Sequence, residues 1–263
     1  MGSILGRLKR IVRQNQAFNG LRGTSYYWWF ARIYSAVNSV LERRSGPSYD
    51  ELTFRIIKMV LGEDSNCIDV GAGTGYILRM IVKCAPQGRH YAFEPAPASA
   101  DVLRRNFRNV EVLQVALSDK EGQSTFQYVK SRPTLSSLAQ REVEECEEVE
   151  NITVRTAKLD DIFPERLPLS LMKIDVEGAE YFVIKGGIET VRRCKPIIIF
   201  ECGIGGADVL GVLPQDMYDL LTIECGLRIS TLEGFLKKEM PLSRDEFVGQ
   251  YEIGINYCFV AHS

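Results

Sequence analysis

Charged residues stand where an apolar stretch of the chain ends, in the sequence LMKIDVEGAE. Lys173, Asp175, Glu177 and Glu180 interrupt or follow the apolar residues of a predicted strand, and Glu201 ends a second apolar run, PIIIFE. Burying a charge is costly unless the charge is paired. Carboxylates at neighbouring strand ends are suited to act as general bases or to bind a hard cation. The alternative is that they only favour the start of the following helix.

A glycine-rich stretch, DVGAGTG, follows another predicted strand. Gly71, Gly73 and Gly75 allow a tight turn and a close approach of the backbone to a ligand. A dinucleotide-binding fingerprint would have glycine where Tyr76 stands, so the spacing argues against a pyrophosphate ligand. Glu94 ends the next predicted strand, where a carboxylate can accept hydrogen bonds from ribose hydroxyls. The glycines and this acid predict a nucleoside site rather than a plain strand–turn–helix.

Short apolar runs alternate with helical patterns from residue 66 onward, which predicts an α/β fold with a mostly parallel sheet and helices on both faces. The tail adds a helix near 214–225 and two strands, LRIST and INYCFVAH, which a polar loop should join as an antiparallel edge pair. Residues 118–168 break the alternation and predict a β-rich insert with an acidic loop. The other predicted strands are at 67–70, 89–94, 110–117, 169–176 and 196–202, and the other helices at 76–85, 97–107 and 179–194.

Several motifs occur in a fixed order: IDVGAGTGYI, FEPAPASADVLRRN, VALSD, LDDI, LMKIDVEGAEYFVIKGG and KPIIIFE. Together they resemble the FkbM family of S-adenosylmethionine-dependent methyltransferases, from about Cys67 to Glu201. The resemblance implies a class I methyltransferase Rossmann-like fold, with a seven-stranded sheet in the order 3-2-1-4-5-7-6 and an antiparallel last strand. It also implies O-methylation of a sugar or secondary-metabolite hydroxyl. The family loop usually reads G-A-N-x-G, and Gly73 takes the place of that asparagine.

The class I pattern implies how these residues would hold S-adenosylmethionine. Asp69 would orient the methionine end and Glu94 the ribose. Pro95 and Ala96 would lie against the adenine, and residues 117–119 would border its edge. The predicted cofactor-binding residues are Asp69, Gly71, Ala72, Gly73, Gly75, Glu94, Pro95, Leu117, Ser118 and Asp119.

With the cofactor over the first two strands, its methyl group would point toward the ends of strands four and five. Asp175 and Glu201 lie there, and we predict that one of them, or Glu177, takes the proton of an acceptor hydroxyl. Lys173 shares a strand face with Asp175 and would stabilise the carboxylates or steer the acceptor. In the alternative mechanism, Asp175 and Glu201 bind Mg²⁺ and the metal acidifies the hydroxyl. For Glu180 we favour the helix-start role.

Charge and composition indicate the expected partners, the cellular compartment and the domain limits. The formal net charge of -2 gives no general attraction to nucleic acid. Seven cysteines without a C-x-x-C pair predict free thiols in a reducing, cytoplasmic compartment, and neither a signal peptide nor a membrane span is recognisable. We predict a methyltransferase domain at 61–263, preceded by a helical extension or cap at 1–60. Its basic amphipathic segment at 4–13 alternatively makes peripheral membrane contact.

Two other functions compete with the methyltransferase hypothesis. A nicotinamide-dependent oxidoreductase is disfavoured by Tyr76 and by the glycine spacing. A non-catalytic nucleoside-binding scaffold is disfavoured by the carboxylates at 175 and 201. The expected partner is a small-molecule or glycan acceptor, and TLSS at 134–137 offers hydroxyls to hydrogen-bond it. The identity of the acceptor and the oligomeric state are not predicted.

Overall fold

The computed structural model describes residues 47–131, 133, 136–139, 147–254 and 256–263. The amphipathic segment at 4–13 and most of the predicted N-terminal cap lie outside these residues, as does the central part of the acidic loop. The cap, its membrane contact and the domain boundary at residue 60 therefore stay predictions. No helix within the described ranges is both long enough and apolar enough to cross a membrane.

Ten strands within the described residues form two sheets. Their bounds are β1 Cys67–Val70, β2 His90–Phe93, β3 Val110–Leu113, β4 Ala116–Leu117, β5 Gly122–Val129, β6 Val149–Ala157, β7 Leu171–Ile174, β8 Ile197–Glu201, β9 Arg228–Thr231 and β10 Cys258–His262. The main sheet has the order β3-β2-β1-β7-β8-β10-β9. Strand β10 is antiparallel to β8 and β9, whereas the pairs from β3 to β8 are parallel. This confirms the predicted strand order and the antiparallel last strand.

Helices cover both faces of the main sheet, as predicted. The α-helices are α1 Tyr49–Val60, α2 Tyr76–Cys84, α3 Pro97–Asn106, α4 Leu159–Ile162, α5 Glu180–Lys185, α6 Ile188–Cys194, α7 Pro214–Asp219, α8 Leu232–Lys237 and α9 Arg244–Ile253. Alternate residues of β7 and β8 enter two different cores. Met172 and Phe200 pack with α5, α6 and α9, whereas Leu171 and Ile199 pack with α1, α2 and α8.

Three predicted elements differ from the structure. The stretch 110–117 divides into β3 and β4, and β4 pairs with β6 instead of extending the main sheet. The helix predicted at 179–194 breaks between α5 and α6, where a Cβ on Gly186 would lie 2.0 Å from the Ser118 carbonyl oxygen. The polar loop expected between the last two strands instead contains α8 and α9.

The second sheet has the order β4-β6-β5 and falls mainly in the predicted insert. Strands β5 and β6 pair antiparallel over eight residues, from Gly122 opposite Thr156 to Val129 opposite Val149. The segment at 136–139 adds to β5, because the backbones of Ser137 and Gln127 exchange two hydrogen bonds of 2.9 and 3.1 Å. Since β4 leads directly out of the main sheet, the insert is fixed close to the edge where β1 and β2 end.

The described cysteines are all unpaired thiols. Burial raises the pKa of Cys67 and of Cys258 to about 12, and that of Cys225 to about 11. Cys202 is buried as well, and burial raises the pKa of its thiol too.

Candidate active site

A cavity of about 230 Å³ opens at the carboxyl ends of β1, β2 and β7. Ligands of open α/β sheets bind at this edge. One wall consists of the glycine-rich loop 71–74 with Glu94 and Pro95. A charged wall next to this loop consists of Lys173, Asp175 and Glu177. The nucleoside-binding and charged motifs of the sequence therefore meet in one site.

The glycine-rich loop passes very close to the end of β7. Gly71 has a φ of +72°, and a Cβ on it would lie 1.8 Å from the Asp175 carbonyl oxygen. Only glycine fits this position, because any side chain would collide with the backbone. Gly73 also has a positive φ, of +53°, but a Cβ there meets no atom within 4 Å. The position of the family asparagine therefore has room for a side chain.

Glu94 ties the glycine-rich loop to the end of β2. Its Oε2 accepts the N–H of Gly73 at 2.8 Å, and its Oε1 accepts the N–H of Ala96 at 2.9 Å. The side chain is buried, and burial raises the pKa of Glu94. Each carboxylate oxygen keeps a second acceptor site, so the fixed carboxylate can also accept hydroxyl groups such as those of a ribose.

Asp69, near the end of β1, has a buried oxygen without a partner. The residue is 2% exposed and lines the cavity, and its Oδ2 has no hydrogen bond. Burial raises the pKa of Asp69 to about 7, against the lowering effect of the Lys173 ammonium. An unsatisfied buried oxygen is costly, and a cationic donor in the cavity would satisfy it. The amino group of a methionine moiety is such a donor, so the residues present fit S-adenosylmethionine.

Lys173 and Asp175 form a largely buried ion pair on the cavity wall. The Lys173 Nζ lies 3.0 Å from the Asp175 Oδ2, and the lysine side chain is 7% exposed. Burial alone would lower the pKa of Lys173, but the Asp175 carboxylate and further negative groups outweigh burial and raise it. Lys173 is therefore charged at neutral pH.

Glu201 ends β8 alongside this ion pair, because Phe200 pairs with Ile174 in the parallel register. It does not itself line the cavity. Burial and the neighbouring Asp175 carboxylate raise the pKa of Glu201 to about 8. Burial and this neighbour therefore disfavour the charged form of Glu201.

Glu177 and Glu180 are not simply solvent-exposed residues at the start of a helix. Glu177 lines the cavity with a φ of +57°, in the left-handed region. Glu180 begins α5, but its side chain is buried and its Oε1 accepts the N–H groups of Val176 and Gly178, each at 3.1 Å. Glu180 thus stands in the first turn of α5, where the helix-start role was predicted, and its carboxylate also binds the turn that precedes the helix.

The remaining predicted residues divide between the cavity and its surroundings. Ala72, Pro95 and Leu117 line the cavity, whereas Gly75, Ser118 and Asp119 do not. The Ser118 N–H donates to the Ala157 carbonyl at 2.9 Å, and Asp119 pairs with Lys185 at 3.2 Å. The first contact links the ends of β4 and β6, and the second links this segment to α5. The adenine-edge role of Ser118 and Asp119 stays a prediction.

Sequence reasoning missed cavity residues on helix starts and on the insert. They are Asp50, Tyr76, Val115, Phe126, Pro133 and Leu138. Of the TLSS segment, Thr134 and Leu135 lie outside the described residues, and Ser136 lines the cavity. In the sequence, the hydroxyl groups of the TLSS segment were the one signal that the insert reaches the site.

The Mg²⁺ alternative finds no support in this geometry. No group of three or more His, Cys, Asp or Glu side chains within the described ranges is placed to hold a metal ion. The Lys173 ammonium already contacts the Asp175 carboxylate at the position where a cation would bind. We therefore do not carry the metal mechanism further.

Replacing Lys173 should destabilise the protein strongly. In Lys173→Met the neighbouring acids Asp69, Asp175 and Glu201 lose the cation among them. Breaking a fully buried pair costs about 3–5 kcal/mol, and because the Asp175 side chain is 39% exposed we expect a loss of about 2 kcal/mol. Urea unfolding measures this loss. The control is Lys237→Met, because Lys237 and its partner Glu233 are 57% and 58% exposed and exposed pairs contribute about 0–1 kcal/mol. Equal stability losses in the two variants would contradict the buried pair.

When the seven strands of the main sheet are numbered by themselves along the chain, their order in the sheet is 3-2-1-4-5-7-6. This order, with a glycine-rich cavity at the carboxyl edge of the sheet, defines a class I methyltransferase fold. The family described as the Methyltransferase FkbM domain matches residues 69–229, which is more than half of the chain. The protein belongs to this family.

Curated relatives agree with this class. Methyltransferase sdnD of Sordaria araneosa is 30% identical over 152 residues, covering 45% of this chain and 59% of the relative. The 2-O-methyltransferase NoeI of Sinorhizobium fredii is 28% identical over 157 residues, covering 54% of this chain and 65% of the relative. The matches thus span less than two thirds of either relative. Among solved structures, a methyltransferase FkbM from Methylobacillus flagellatus aligns at 15% identity with a TM-score of 0.48, covering 77% of this chain and 44% of that one.

Proposed function

We propose that this protein is an S-adenosylmethionine-dependent O-methyltransferase that acts on a hydroxyl of a sugar or secondary-metabolite-like acceptor. The observation that carries the proposal is the cavity itself. The glycine-rich loop with Glu94, which suits a nucleoside, lines it together with the charged residues Lys173 and Asp175. The relative NoeI is a 2-O-methyltransferase, which supports a hydroxyl acceptor.

The cofactor would bind along the glycine-rich loop. Glu94 would accept the ribose hydroxyls, Asp69 would accept the amino group of the methionine end, and Pro95 and Leu117 would contact the adenine. When bound, S-adenosylmethionine supplies a methyl group already activated on a sulfonium. The protein therefore needs to position an acceptor and remove its proton.

Asp175 is the proton acceptor in this proposal. It lines the cavity, and its Oδ2 lies 3.0 Å from the Lys173 Nζ, which holds the carboxylate in place. Glu177 lines the same wall and would hydrogen-bond other hydroxyls of the acceptor. Glu201 would keep the pair in place from the neighbouring strand end. A neutral alcohol needs such a base, whose contribution is typically about 10²–10⁴-fold in rate.

The proposed partner is accordingly a small-molecule or glycan acceptor and not a nucleic acid. A cytoplasmic location, with peripheral membrane contact through the basic segment at 4–13, completes the proposal and rests on the sequence alone.

Thermal unfolding tests the cofactor. S-adenosylmethionine and S-adenosylhomocysteine should each raise the melting temperature, whereas NADH should not. A ligand at 100 times its Kd stabilises by about 2.7 kcal/mol, which is a resolvable shift. Release of S-adenosylhomocysteine in the presence of a panel of sugars and hydroxylated metabolites then identifies an acceptor. Failure of both adenosyl ligands to stabilise the protein would contradict the proposal.

Glu94→Gln should weaken binding of S-adenosylhomocysteine by about tenfold or more. Both oxygens of Glu94 accept backbone N–H groups, and an amide can accept at only one of them. Hydrogen bonds to charged groups contribute about 1.5–3 kcal/mol, and about 1.4 kcal/mol corresponds to tenfold. Isothermal titration calorimetry measures the affinity. Glu111→Gln, at an exposed position on β3, is the control.

A further inference from the structure

The turn between β7 and α5 places a strained residue on the cavity wall. Glu177 adopts a φ of +57° and Gly178 a φ of +112°. A left-handed conformation is unfavourable for a residue with a side chain such as glutamate, and such strain persists only where surrounding contacts enforce it. The contacts that enforce it here come from three separate parts of the chain.

The first contact comes from Glu180, which binds the turn from the protein interior. One carboxylate oxygen, Oε1, accepts the N–H groups on both sides of Glu177, from Val176 and from Gly178. Glu180 is 2% exposed, so water cannot replace it as the partner of these groups. A single acceptor shared by residues 176 and 178 fixes the backbone on either side of Glu177.

The second contact comes from the insert, 40 residues earlier in the chain. The Ser137 hydroxyl donates to the Glu177 carbonyl oxygen at 2.8 Å. Ser137 is fully buried, and its backbone is paired with Gln127 of β5. The hydroxyl is therefore held by the second sheet, and the turn is held by the insert.

The third contact is steric. A Cβ on Gly178 would lie 2.8 Å from the carbonyl carbon and oxygen of Gly206. The turn thus packs directly on the backbone that follows β8. Glu177 is the residue that these three contacts leave at the cavity, between Asp175 and the insert residue Ser136.

We propose that Ser137 and Glu180 are positioning residues that hold Glu177 at the acceptor side of the cavity. This inference rests on the proposed function, since Glu177 is taken to contact the acceptor there. It assigns the insert a role in orienting the acceptor, because the second sheet sets the place of Glu177 through the Ser137 hydroxyl. Binding of the adenosyl cofactor by the glycine-rich loop and Glu94 does not depend on these contacts.

Hydrogen exchange tests the positioning without any ligand. Ser137→Ala and Glu180→Ala should accelerate amide exchange at Val176 and Gly178 by about tenfold or more, because the turn loses one of its restraints. Ser131→Ala is the matched control, since the Ser131 hydroxyl contacts Glu147 within the insert and not the turn. Glu180→Gln keeps an acceptor oxygen at the same distance along the side chain and should retain the protection of these amides. This variant keeps the test valid if Glu180→Ala does not fold. Unchanged exchange in both alanine variants would overturn the proposal.

Kinetics with the acceptor found in the screen tests the function of this arrangement. Ser137→Ala should lower kcat by about tenfold while the affinity for S-adenosylhomocysteine changes less than threefold, and Ser131→Ala should change neither. In a Glu177→Gln background the additional effect of Ser137→Ala should largely disappear, because residues that act through one another are not additive. A full effect of Ser137→Ala in that background would overturn the proposal. Because exchange needs no ligand, failure of the wild-type protein to bind S-adenosylmethionine would instead overturn the proposed function.

Discussion

Asp175→Asn should abolish methyl transfer while leaving the cofactor site intact. The amide is nearly the same size as the carboxylate but cannot take a proton from an alcohol, so kcat should fall by about 10²-fold or more. The affinity for S-adenosylhomocysteine should change little, because Glu94 is held by the backbone N–H groups of Gly73 and Ala96 and not by Asp175. Release of S-adenosylhomocysteine with the screened acceptor measures the rate, and calorimetry measures the binding.

Two further variants sharpen this test. Asp101→Asn, at an exposed aspartate on α3 paired with Arg104, should keep wild-type turnover. Glu201→Gln should lose less activity than Asp175→Asn, because Glu201 does not line the cavity and burial already raises its pKa. Retention of more than half of the wild-type kcat by Asp175→Asn would show that another group removes the proton. Glu177, on the same wall, would then be the next candidate.

Gly71→Ala should lose both stability and cofactor binding. The new methyl group would lie 1.8 Å from the Asp175 carbonyl oxygen, at a φ of +72°. Backbone strain of this kind alone costs about 1–3 kcal/mol, and the glycine-rich loop has to move away from β7 to relieve the collision. Urea unfolding and binding of S-adenosylhomocysteine measure the two effects.

Gly73→Asn is the matched variant, because Gly73 also has a positive φ but faces open space. Asparagine tolerates the left-handed region better than most residues, so the loss of stability should stay within about 1 kcal/mol. The variant also restores the residue that the family loop usually carries. If Gly71→Ala were as stable as Gly73→Asn, the close approach of the loop to β7 would not exist in solution.

The alternation of apolar runs and helical patterns predicted a mostly parallel sheet, and the family resemblance implied its strand order, but one connection was predicted by neither. Helices α8 and α9 lie where a polar loop was expected. Helix α9 has an N-terminal capping box formed by Ser243 and Glu246, which the sequence SRDE displays. It buries only Phe247 and Tyr251, so its apolar periodicity is weak. The capping residues were the available signal, and hydrophobic pattern alone could not show it.

The site was predictable where strand periodicity governs it. Asp69, Lys173 and Glu201 follow the same alternation as Leu171 and Ile199, which places them on the face that packs with α1, α2 and α8. The direction of the Glu180 side chain was not predictable, because it depends on the left-handed backbone at Glu177. The contribution of the insert depends on the pairing of Ser137 with β5, a contact that no local pattern encodes.

The buried thiols have a practical consequence for following unfolding. Alkylating reagents attack the thiolate, and Cys67, Cys225 and Cys258 carry little thiolate near neutral pH because burial raises their pKa to about 11 or 12. Cys258 also lies opposite Glu201 across the β8–β10 pair, next to the charged wall of the cavity. Modification of Cys258 by iodoacetamide therefore requires this part of the sheet to open. The rate of Cys258 alkylation therefore measures how often this edge of the active site opens, without an engineered cysteine.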